Sequence, residues 1–337
     1  MSQINFYIIF FLINCLFFIY HNKLSLLGVP FDLPDQKRKK HTKPVLLSGG
    51  IMITTNFLIL LIFYSFNFNS TDFTQIKMFD GSVKVLNFLF FSMSLFILGF
   101  VDDKININYN VKLTLLTIII SCFLFSNKIF IIENLNISFL ENQISLGYLS
   151  IPFTILSFLL FINAFNMFDG INLQSSTYSL FFFIYFFIND IYPTIFLGLI
   201  FSVLLFMYLN YKNLSFLGDG GCFIISFIIG CFSIYTYHDL DVIKYADHVF
   251  FLMCLPGIDM FRVFIVRILN KQNPLKPDRK HFHHILLDKY GYKRTYFLIS
   301  SILAVCFIMQ ILKINILISF TLFLIFYFFL IFKKNNY

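Results

Sequence analysis

Apolar segments of about twenty residues recur along this chain and leave little room between them for a soluble domain. Of its 337 residues, 58% are hydrophobic and 12% are charged, whereas an average soluble domain has roughly 25% charged residues. A helix needs about 20 apolar residues to cross a hydrocarbon core, and its backbone polar groups bond one another within the lipid. The sequence shows none of the strict alternation of an outer-membrane barrel, so it predicts an all-α polytopic membrane protein.

We expect about eleven transmembrane helices in a single membrane domain, residues 1–337, with no repeats and no appended soluble domain. The predicted spans are centred near Phe11, Ile59, Phe96, Ile119, Leu159, Phe182, Leu199, Ile228, Leu255, Ala304 and Leu324. Residues 129–148 differ from these spans, because they mix β-branched residues with Asn, Glu and Gly in short runs. This pattern predicts a small β-hairpin outside the membrane, on the extracytoplasmic side.

The basic residues are distributed asymmetrically between the two ends of the predicted spans. One side holds 20 of the 25 Lys and Arg residues, and the other holds only five, namely Lys77, Lys84, Lys128, Lys244 and Lys313. Because basic residues near span ends are retained in the cytoplasm, we expect the N-terminus outside and the C-terminus inside. The net charge of +8 reflects this asymmetry and is no indication of nucleic-acid binding.

Short polar clusters occur where apolar segments end, and the charge pattern places all of them in the cytoplasm. They are GFVDDK at 99–104, NAFNMFDGIN at 163–172, FLGDGG at 216–221 and PDRKHFHH at 277–284. Since these ends face one side of the membrane, we expect cytoplasmic loops and helix ends to form one site. The basic loops on the same side could hold anionic lipid or a phosphorylated substrate.

The pair Asp102-Asp103 ends the third span. Two adjacent carboxylates repel each other unless a cation or a phosphate proton is shared between them. A solvated helix end is the alternative interpretation. Lys112, at the start of the next span, either faces the same pocket or is an ordinary interfacial lysine.

Asn163, Asn166, Asp169 and Asn172 recur every three residues, which places them on a slowly drifting stripe of a helix end and its following turn. Amide and carboxylate oxygens on one stripe suit a hard divalent cation, or the hydrogen-bonding edge of a base or sugar. Hydrogen bonding between helices is the alternative, because amides in spans commonly provide it.

Asp219 lies among three glycines just ahead of the eighth span. Glycine lets a backbone approach a ligand closely, and the following helix N-terminus offers free N–H groups to a phosphate. A capping Asp in a glycine turn is the alternative.

Residues 277–284 combine cations with imidazoles, which suit recognition of a diphosphate. For them the alternatives are a plain basic loop and a zinc site, but no further Cys or His lies at zinc-ligand spacing.

Taken in order, these motifs resemble the polyprenyl-phosphate N-acetylhexosamine-1-phosphate transferases of glycosyltransferase family 4, relatives of phospho-N-acetylmuramoyl-pentapeptide transferase. The resemblance rests on PDQKRKKHTKPVLLSGG at 34–50 together with the four clusters, and the motif-bearing core covers about residues 32–290. The PDRxHxHH form is similar to the N-acetylhexosamine branch. The resemblance implies transfer of a sugar 1-phosphate, GlcNAc 1-phosphate by first choice, from a UDP-sugar to undecaprenyl phosphate with release of UMP.

The same resemblance implies roles for individual residues. Mg²⁺, with Mn²⁺ as a substitute, would be bound by Asp219 directly and by Asn166 as a second ligand. Asp102 and Asp103 would deprotonate or orient the lipid phosphate, and Lys112 would hold it. The positions implied in substrate binding are Asn163, Asp169 and Asn172 for the nucleotide, Arg279, His281, His283 and His284 for the diphosphate and sugar, and Lys37 to Lys43 with His41 for the entrance. The setting implied is the cytoplasmic face of a bacterial inner membrane, and a homodimer is left open.

Two departures from the family pattern and two alternatives bear on this interpretation. Asn172 and Leu173 stand where many members have Asp and Gly, and Cys222 stands where Ser is frequent. The lipid phosphate could attack the UDP-sugar directly, which we favour, or an Asp of the pair could attack first and form a covalent phosphosugar. A secondary transporter of an anionic solute is the rival function. Transporters place ionisable groups near the bilayer midplane, however, whereas the acidic groups here gather at one face.

Overall fold

The computed structural model describes residues 3–34, 43–66, 78–79, 82–238, 242–273 and 278–332. Within these ranges the chain forms eleven α-helices, one at each predicted span. They are α1 (Gln3–Tyr20), α2 (Gly49–Phe66), α3 (Ser82–Ile105), α4 (Tyr109–Ser126), α5 (Ser150–Phe168), α6 (Gln174–Ile188), α7 (Pro193–Tyr211), α8 (Gly218–His238), α9 (Ala246–Leu269), α10 (Phe282–Ile311) and α11 (Ile316–Phe332).

The helices confirm an all-helical polytopic membrane protein. Eight of those described are long and apolar enough to cross a membrane. The apolar stretch Gly49–Ser65 of α2 is shorter, as are α6 and α11. With 15 residues, α6 is the shortest. At about 1.5 Å per residue it extends only about 22 Å, less than the hydrocarbon thickness. The number of helices that cross the membrane, and their orientation, stay predictions.

Helix α8 lies at the centre of the bundle. Every residue from Gly220 to Tyr237 is buried, and α8 packs against α2, α3, α5, α6 and α9. A helix that is apolar on all sides is typical of a core position. The first turn of α8, which carries Asp219, is therefore held in place by its neighbours.

Glycines allow α2 and α3 to approach the start of α8 at backbone distance. A Cβ atom on Gly99 of α3 would lie 2.5 Å from the backbone nitrogen of Gly220, and one on Gly50 of α2 would lie 2.6 Å from that of Gly221. Small residues permit such approaches between membrane helices. This packing brings the end of α3, with its Asp pair, next to Asp219.

Two pairs of short strands occur in the described part of the chain. Strand β1 (Phe31–Asp32) pairs antiparallel with β2 (Val45–Leu46). The segment before α8 joins this pair, because the N–H of Phe216 donates to the carbonyl of Leu46 at 2.9 Å. Strands β3 (Asn134–Leu135) and β4 (Ile144–Ser145) form an antiparallel pair inside the predicted hairpin. The location of this hairpin relative to the membrane stays a prediction.

Helix α10 contains a break at Gly291, where φ is +72°. Glycine adopts this left-handed conformation without the steric penalty that a Cβ atom brings. The break separates residues 282–290 from residues 292–311. The first part carries His283 and His284.

Candidate active site

A cavity of about 1270 Å³ lies where α3, α5 and α7 end and α8 begins. All four polar clusters contribute to its wall. The predicted site residues that line it are Lys43, Asp102, Asp103, Asn166, Asp169, Asn172, Asp219 and His284. The other predicted positions within the described residues do not line it, and these are Lys112, Asn163, Arg279, His281 and His283. Residues 37–41 lie outside the described ranges.

Asp103 caps the N-terminus of α8 from another helix. One carboxylate oxygen accepts the backbone N–H of Asp219 at 2.9 Å, and the other accepts that of Gly220 at 3.3 Å. The first N–H groups of a helix lack partners within the helix, and the helix dipole favours a negative charge there. Gly218 makes room for this cap, because a Cβ atom there would lie 2.5 Å from the Asp103 carboxylate.

Lys112 joins the two motifs on α3 and α8. Its ammonium nitrogen lies 2.6 Å from Oδ2 of Asp102 and 2.6 Å from Oδ2 of Asp219. Helix α4 starts at the N-cap Asn108, whose side chain accepts the N–H of Asn110 at 3.0 Å, so Lys112 lies in the first turn. The adjacent carboxylates of the Asp pair therefore do not share one cation, because Lys112 contacts Asp102 while Asp103 faces α8.

The end of α5 brings Asn166 and Asp169 to the cavity wall. Asn166 and Asp219 line the same cavity wall. Asp169 accepts hydrogen bonds from the Ser175 hydroxyl and, at 3.6 Å, from the Cys222 thiol. Burial raises the pKa of Asp169 to about 6, against the opposing effect of these two donors. Asn163, one turn earlier, instead donates to the carbonyl of Leu159 in its own helix.

Asn172 ties the loop after α5 to the end of α7. Its amide nitrogen donates to the carbonyl of Asn210 at 2.8 Å and to the side chain of Asn213 at 2.7 Å. These two bonds use both amide protons, so the amide oxygen is the atom that can accept a bond from a ligand. Leu173 has φ of +67°, which explains why glycine suits this position in the family pattern.

The cluster at 277–284 divides into cavity and supporting positions. His284 lines the cavity, whereas His283 is only 2% exposed. The ring of His283 packs against Gly170, and a Cβ atom added to Gly170 would lie 1.9 Å from Nε2 of His283. The Nδ1 atom of His281 lies 2.8 Å from a carboxylate oxygen of Asp259. Arg279 donates to Asp288 at 3.0 Å. Only one of the four predicted contacts to the diphosphate and sugar thus faces the cavity.

Sequence reasoning missed several polar residues around the site. Asp278 lines the cavity and accepts a bond from the buried Arg267 at 2.9 Å. The buried Asp259, in the middle of α9, holds His281. An ionisable residue within an apolar span is in itself a sign of a functional or supporting role, and this sign could have identified Asp259.

Comparisons with known proteins agree with this geometry. Residues 85–237 match the sequence model of glycosyl transferase family 4. The chain is 28% identical over 275 residues to the undecaprenyl-phosphate alpha-N-acetylglucosaminyl 1-phosphate transferase of Thermotoga maritima, covering 80% of this chain and 77% of that protein. It is 23% identical over 288 residues to the protein of the same name from Escherichia coli K12, covering 82% and 74%.

A third relative is the probable undecaprenyl-phosphate N-acetylglucosaminyl 1-phosphate transferase of Bacillus subtilis, 25% identical over 198 residues, or 57% of this chain and 55% of that protein. The family match covers α3 to α8, the helices that supply Asp102, Asp103, Asp169 and Asp219 to the cavity. The order of the motifs, their convergence in one cavity and these similarities all indicate the same family. Over residues 85–237 the chain is thus similar to glycosyl transferase family 4.

Proposed function

We propose that this protein transfers N-acetylhexosamine 1-phosphate, with GlcNAc as the favoured sugar, from a UDP-sugar to undecaprenyl phosphate and releases UMP. The names of its relatives support this reaction. The observation that carries the proposal is the position of Lys112, whose ammonium contacts both Asp102 and Asp219 at 2.6 Å. Two anionic reactants must meet in this reaction, and such a site combines a cation for phosphate with carboxylates for a proton and a metal.

Asp219 and Asn166 are the residues that would hold Mg²⁺, or Mn²⁺ in its place. Among the described residues no three His, Cys, Asp or Glu side chains converge on one point, so these side chains alone do not form a closed cage. Mg²⁺ usually binds one or two carboxylates together with substrate phosphates, and an Asp and an Asn in the wall of one cavity fit that donor set. When bound, the ion would offset charge on the diphosphate of the donor.

Lys112 and Asp102 would act on the acceptor lipid. A phosphate held by the ammonium of Lys112 would lie beside Asp102, which could orient it or take its proton. Asp102 is itself fixed by the backbone N–H of Ile107, which donates to its other oxygen at 2.7 Å. Both oxygens of Asp103 already accept N–H groups of α8, so we assign Asp103 to holding Asp219 in place. We therefore favour direct attack by the lipid phosphate over a covalent aspartyl intermediate.

Asp169, Asn172 and His284 would bind the donor. All three line the cavity, whose volume of about 1270 Å³ exceeds the roughly 300–1,000 Å³ of an ordinary ligand pocket. That volume suits a nucleotide sugar together with a lipid phosphate. The reaction would begin a lipid-linked cell-surface polysaccharide, such as O-antigen, an enterobacterial-common-antigen-like polymer, capsule or teichoic acid, at the cytoplasmic face of a bacterial inner membrane.

Release of UMP by the purified protein tests this proposal. The protein would be incubated with undecaprenyl phosphate, Mg²⁺ and a panel of UDP-sugars, and parallel samples would lack the lipid or contain EDTA. We expect release from one donor that depends on both the lipid and the metal, and this donor names the sugar. A folded protein that releases UMP from none of these donors would contradict the proposal.

A further inference from the structure

A second polar cluster lies behind the cavity and centres on Asp259 of α9. Asp259 is 4% exposed, lies among apolar side chains of the helix and does not belong to the cavity wall. A charged group is costly at such a position unless its partners satisfy it fully. The surroundings of Asp259 therefore show what this residue does.

Asp259 accepts hydrogen bonds from three groups on two other segments, the start of α10 and α11. His281 Nδ1 lies 2.8 Å from Oδ2, and the backbone N–H of Phe282 donates to Oδ1 at 2.9 Å. The hydroxyl of Tyr327 on α11 donates to Oδ1 at 3.0 Å. Within α9, Arg262 donates to the same oxygen at 2.7 Å. The carboxylate thus binds the start of α10 at two points, one on a side chain and one on the backbone.

Arg262 reinforces the same attachment. One guanidinium nitrogen donates to the carbonyl of Lys280 at 2.6 Å, and Nε lies 2.9 Å from the hydroxyl of Tyr327. Asp259 and Arg262 together therefore fix residues 280–282, the segment that leads into the histidine cluster. This fixation matters for the cavity because the next histidines contact its wall.

The rings of three histidines connect Asp259 to the cavity wall. The rings of His281 and His283 are nearly parallel, with an interplanar angle of 5° and centroids 5.8 Å apart. His283 packs against Gly170, which follows Asp169 in the cavity wall. His284, whose ring centroid lies 4.2 Å from that of His283, lines the cavity itself.

We propose that Asp259 is a positioning residue of the active site. Through His281 it holds His283 against Gly170, and so keeps the 169–172 loop and His284 in the arrangement that binds the donor. This role rests on the proposed function and extends it to a residue that touches no substrate. Because a displacement of about 1 Å can cost roughly 100-fold in rate, a support of this kind has a measurable effect on turnover.

The kinetic test compares Asp259→Asn, His281→Gln and the double variant with the wild type. We expect each single substitution to lower kcat by roughly 10- to 100-fold. The KM for undecaprenyl phosphate should not change, since the acceptor side of the cavity is untouched. If Asp259 acts through His281, the double variant should be no slower than the slower single variant. Losses that multiply fully in the double variant would overturn the proposal.

Tyr327→Phe is the matched control for a merely structural role. It removes the hydroxyl of α11 from Asp259 and Arg262 but leaves the contact between Asp259 and His281 in place. We expect a lower melting temperature with kcat close to that of the wild type. A loss of kcat equal to that of Asp259→Asn would mean that Asp259 only supports the fold, and would overturn the positioning role.

A chemical measurement separates this inference from the proposed reaction. Diethyl pyrocarbonate modifies accessible imidazoles, and mass spectrometry of the peptides gives the rate for each histidine. His283 should react slowly in the wild type, where it is 2% exposed, and faster in Asp259→Asn. If Asp259→Asn does not fold, the same comparison is made with His281→Gln. Equal protection of His283 in a folded variant contradicts the inference, whether or not the wild type releases UMP.

Discussion

The carboxylate of Asp103 accepts the backbone N–H of Asp219 at 2.9 Å, although the two residues lie 116 positions apart in the chain. Asp103 thus holds the N-terminus of α8, which carries Asp219. Lys112 completes the connection, because its ammonium lies 2.6 Å from the side chain of Asp219. The acidic motifs of α3 and α8 are therefore one structural unit.

Asp103→Asn should weaken this unit. An Asn side chain has one acceptor oxygen and no charge, so it loses one of the two N–H partners and the attraction of the helix dipole. We expect a loss of about 1–2 kcal/mol in the free energy of unfolding, with a fall in turnover. Thermal unfolding in detergent measures the effect. Asp288→Asn, at a side chain 56% exposed, is the control and should leave the melting temperature unchanged. Equal stability of the two variants would exclude the capping role.

Asp219→Asn should abolish turnover while the protein stays folded. A neutral amide cannot hold Mg²⁺ beside a diphosphate as a carboxylate can. UMP release measured across a range of Mg²⁺ concentrations, together with the melting temperature, checks this expectation. Asp247→Asn is the matched control, because Asp247 accepts a hydrogen bond from Ser138 within the β3–β4 hairpin and lies outside the cavity wall. Near-wild-type turnover in Asp219→Asn would remove Asp219 from the metal site.

Gly99→Ala should force α3 away from α8. The added Cβ would lie 2.5 Å from the backbone nitrogen of Gly220, and a backbone atom inside a packed helix cannot move aside easily. We expect a loss of about 1–3 kcal/mol in stability, as for overpacked cores, and reduced UMP release. At Gly257 of α9 a Cβ atom meets nothing within 4 Å, so Gly257→Ala should be neutral or stabilising. If both variants behave alike, close backbone contact does not hold the two helices together.

Asp169→Asn should stabilise the protein at pH 7 and inactivate it. Burial raises the pKa of Asp169 to about 6, so the folded protein favours the protonated carboxyl. The stability that this protonated group contributes is lost as the pH rises from about 4 to about 6. At pH 7 the carboxyl of the wild type is ionised, so a neutral amide in its place should raise the free energy of unfolding by about 2 kcal/mol. This is less than the full pKa shift corresponds to, because the side chain lines an open cavity. The gain should vanish near pH 4. Melting temperatures of both proteins across this range give the test, and a gain independent of pH would contradict the assignment.

Hydropathy was sufficient to place the helices. Each predicted span contains one α-helix, because twenty apolar residues in lipid leave the backbone no other way to satisfy its polar groups. The convergence of the polar clusters also followed from the sequence, since helix ends on one side of a bundle lie near one another. Lys112 was predicted to face this pocket or to be an ordinary lysine, and it contacts two of the carboxylates.

The roles within the site depended on contacts that a linear pattern does not contain. From the sequence, Asp102 and Asp103 are indistinguishable as two adjacent carboxylates. In the structure Asp102 faces Lys112, whereas Asp103 faces α8. His281 and His283 read as ligands of a diphosphate, yet both are buried behind the cavity. Their orientation depends on Asp259, which is more than twenty residues earlier in the chain and was not singled out from the sequence.

The fate of the β-phosphate of the donor tests the central claim most directly. The purified protein would receive undecaprenyl phosphate, Mg²⁺ and UDP-GlcNAc, or the UDP-sugar that releases UMP in the panel, with a radiolabelled β-phosphate. Organic extraction then separates the lipid from the nucleotides. A sugar-1-phosphate transferase moves the label into the lipid fraction and leaves unlabelled UMP. Label that stays in the aqueous phase as UDP, with sugar on the lipid, would show glycosyl transfer instead and contradict the account.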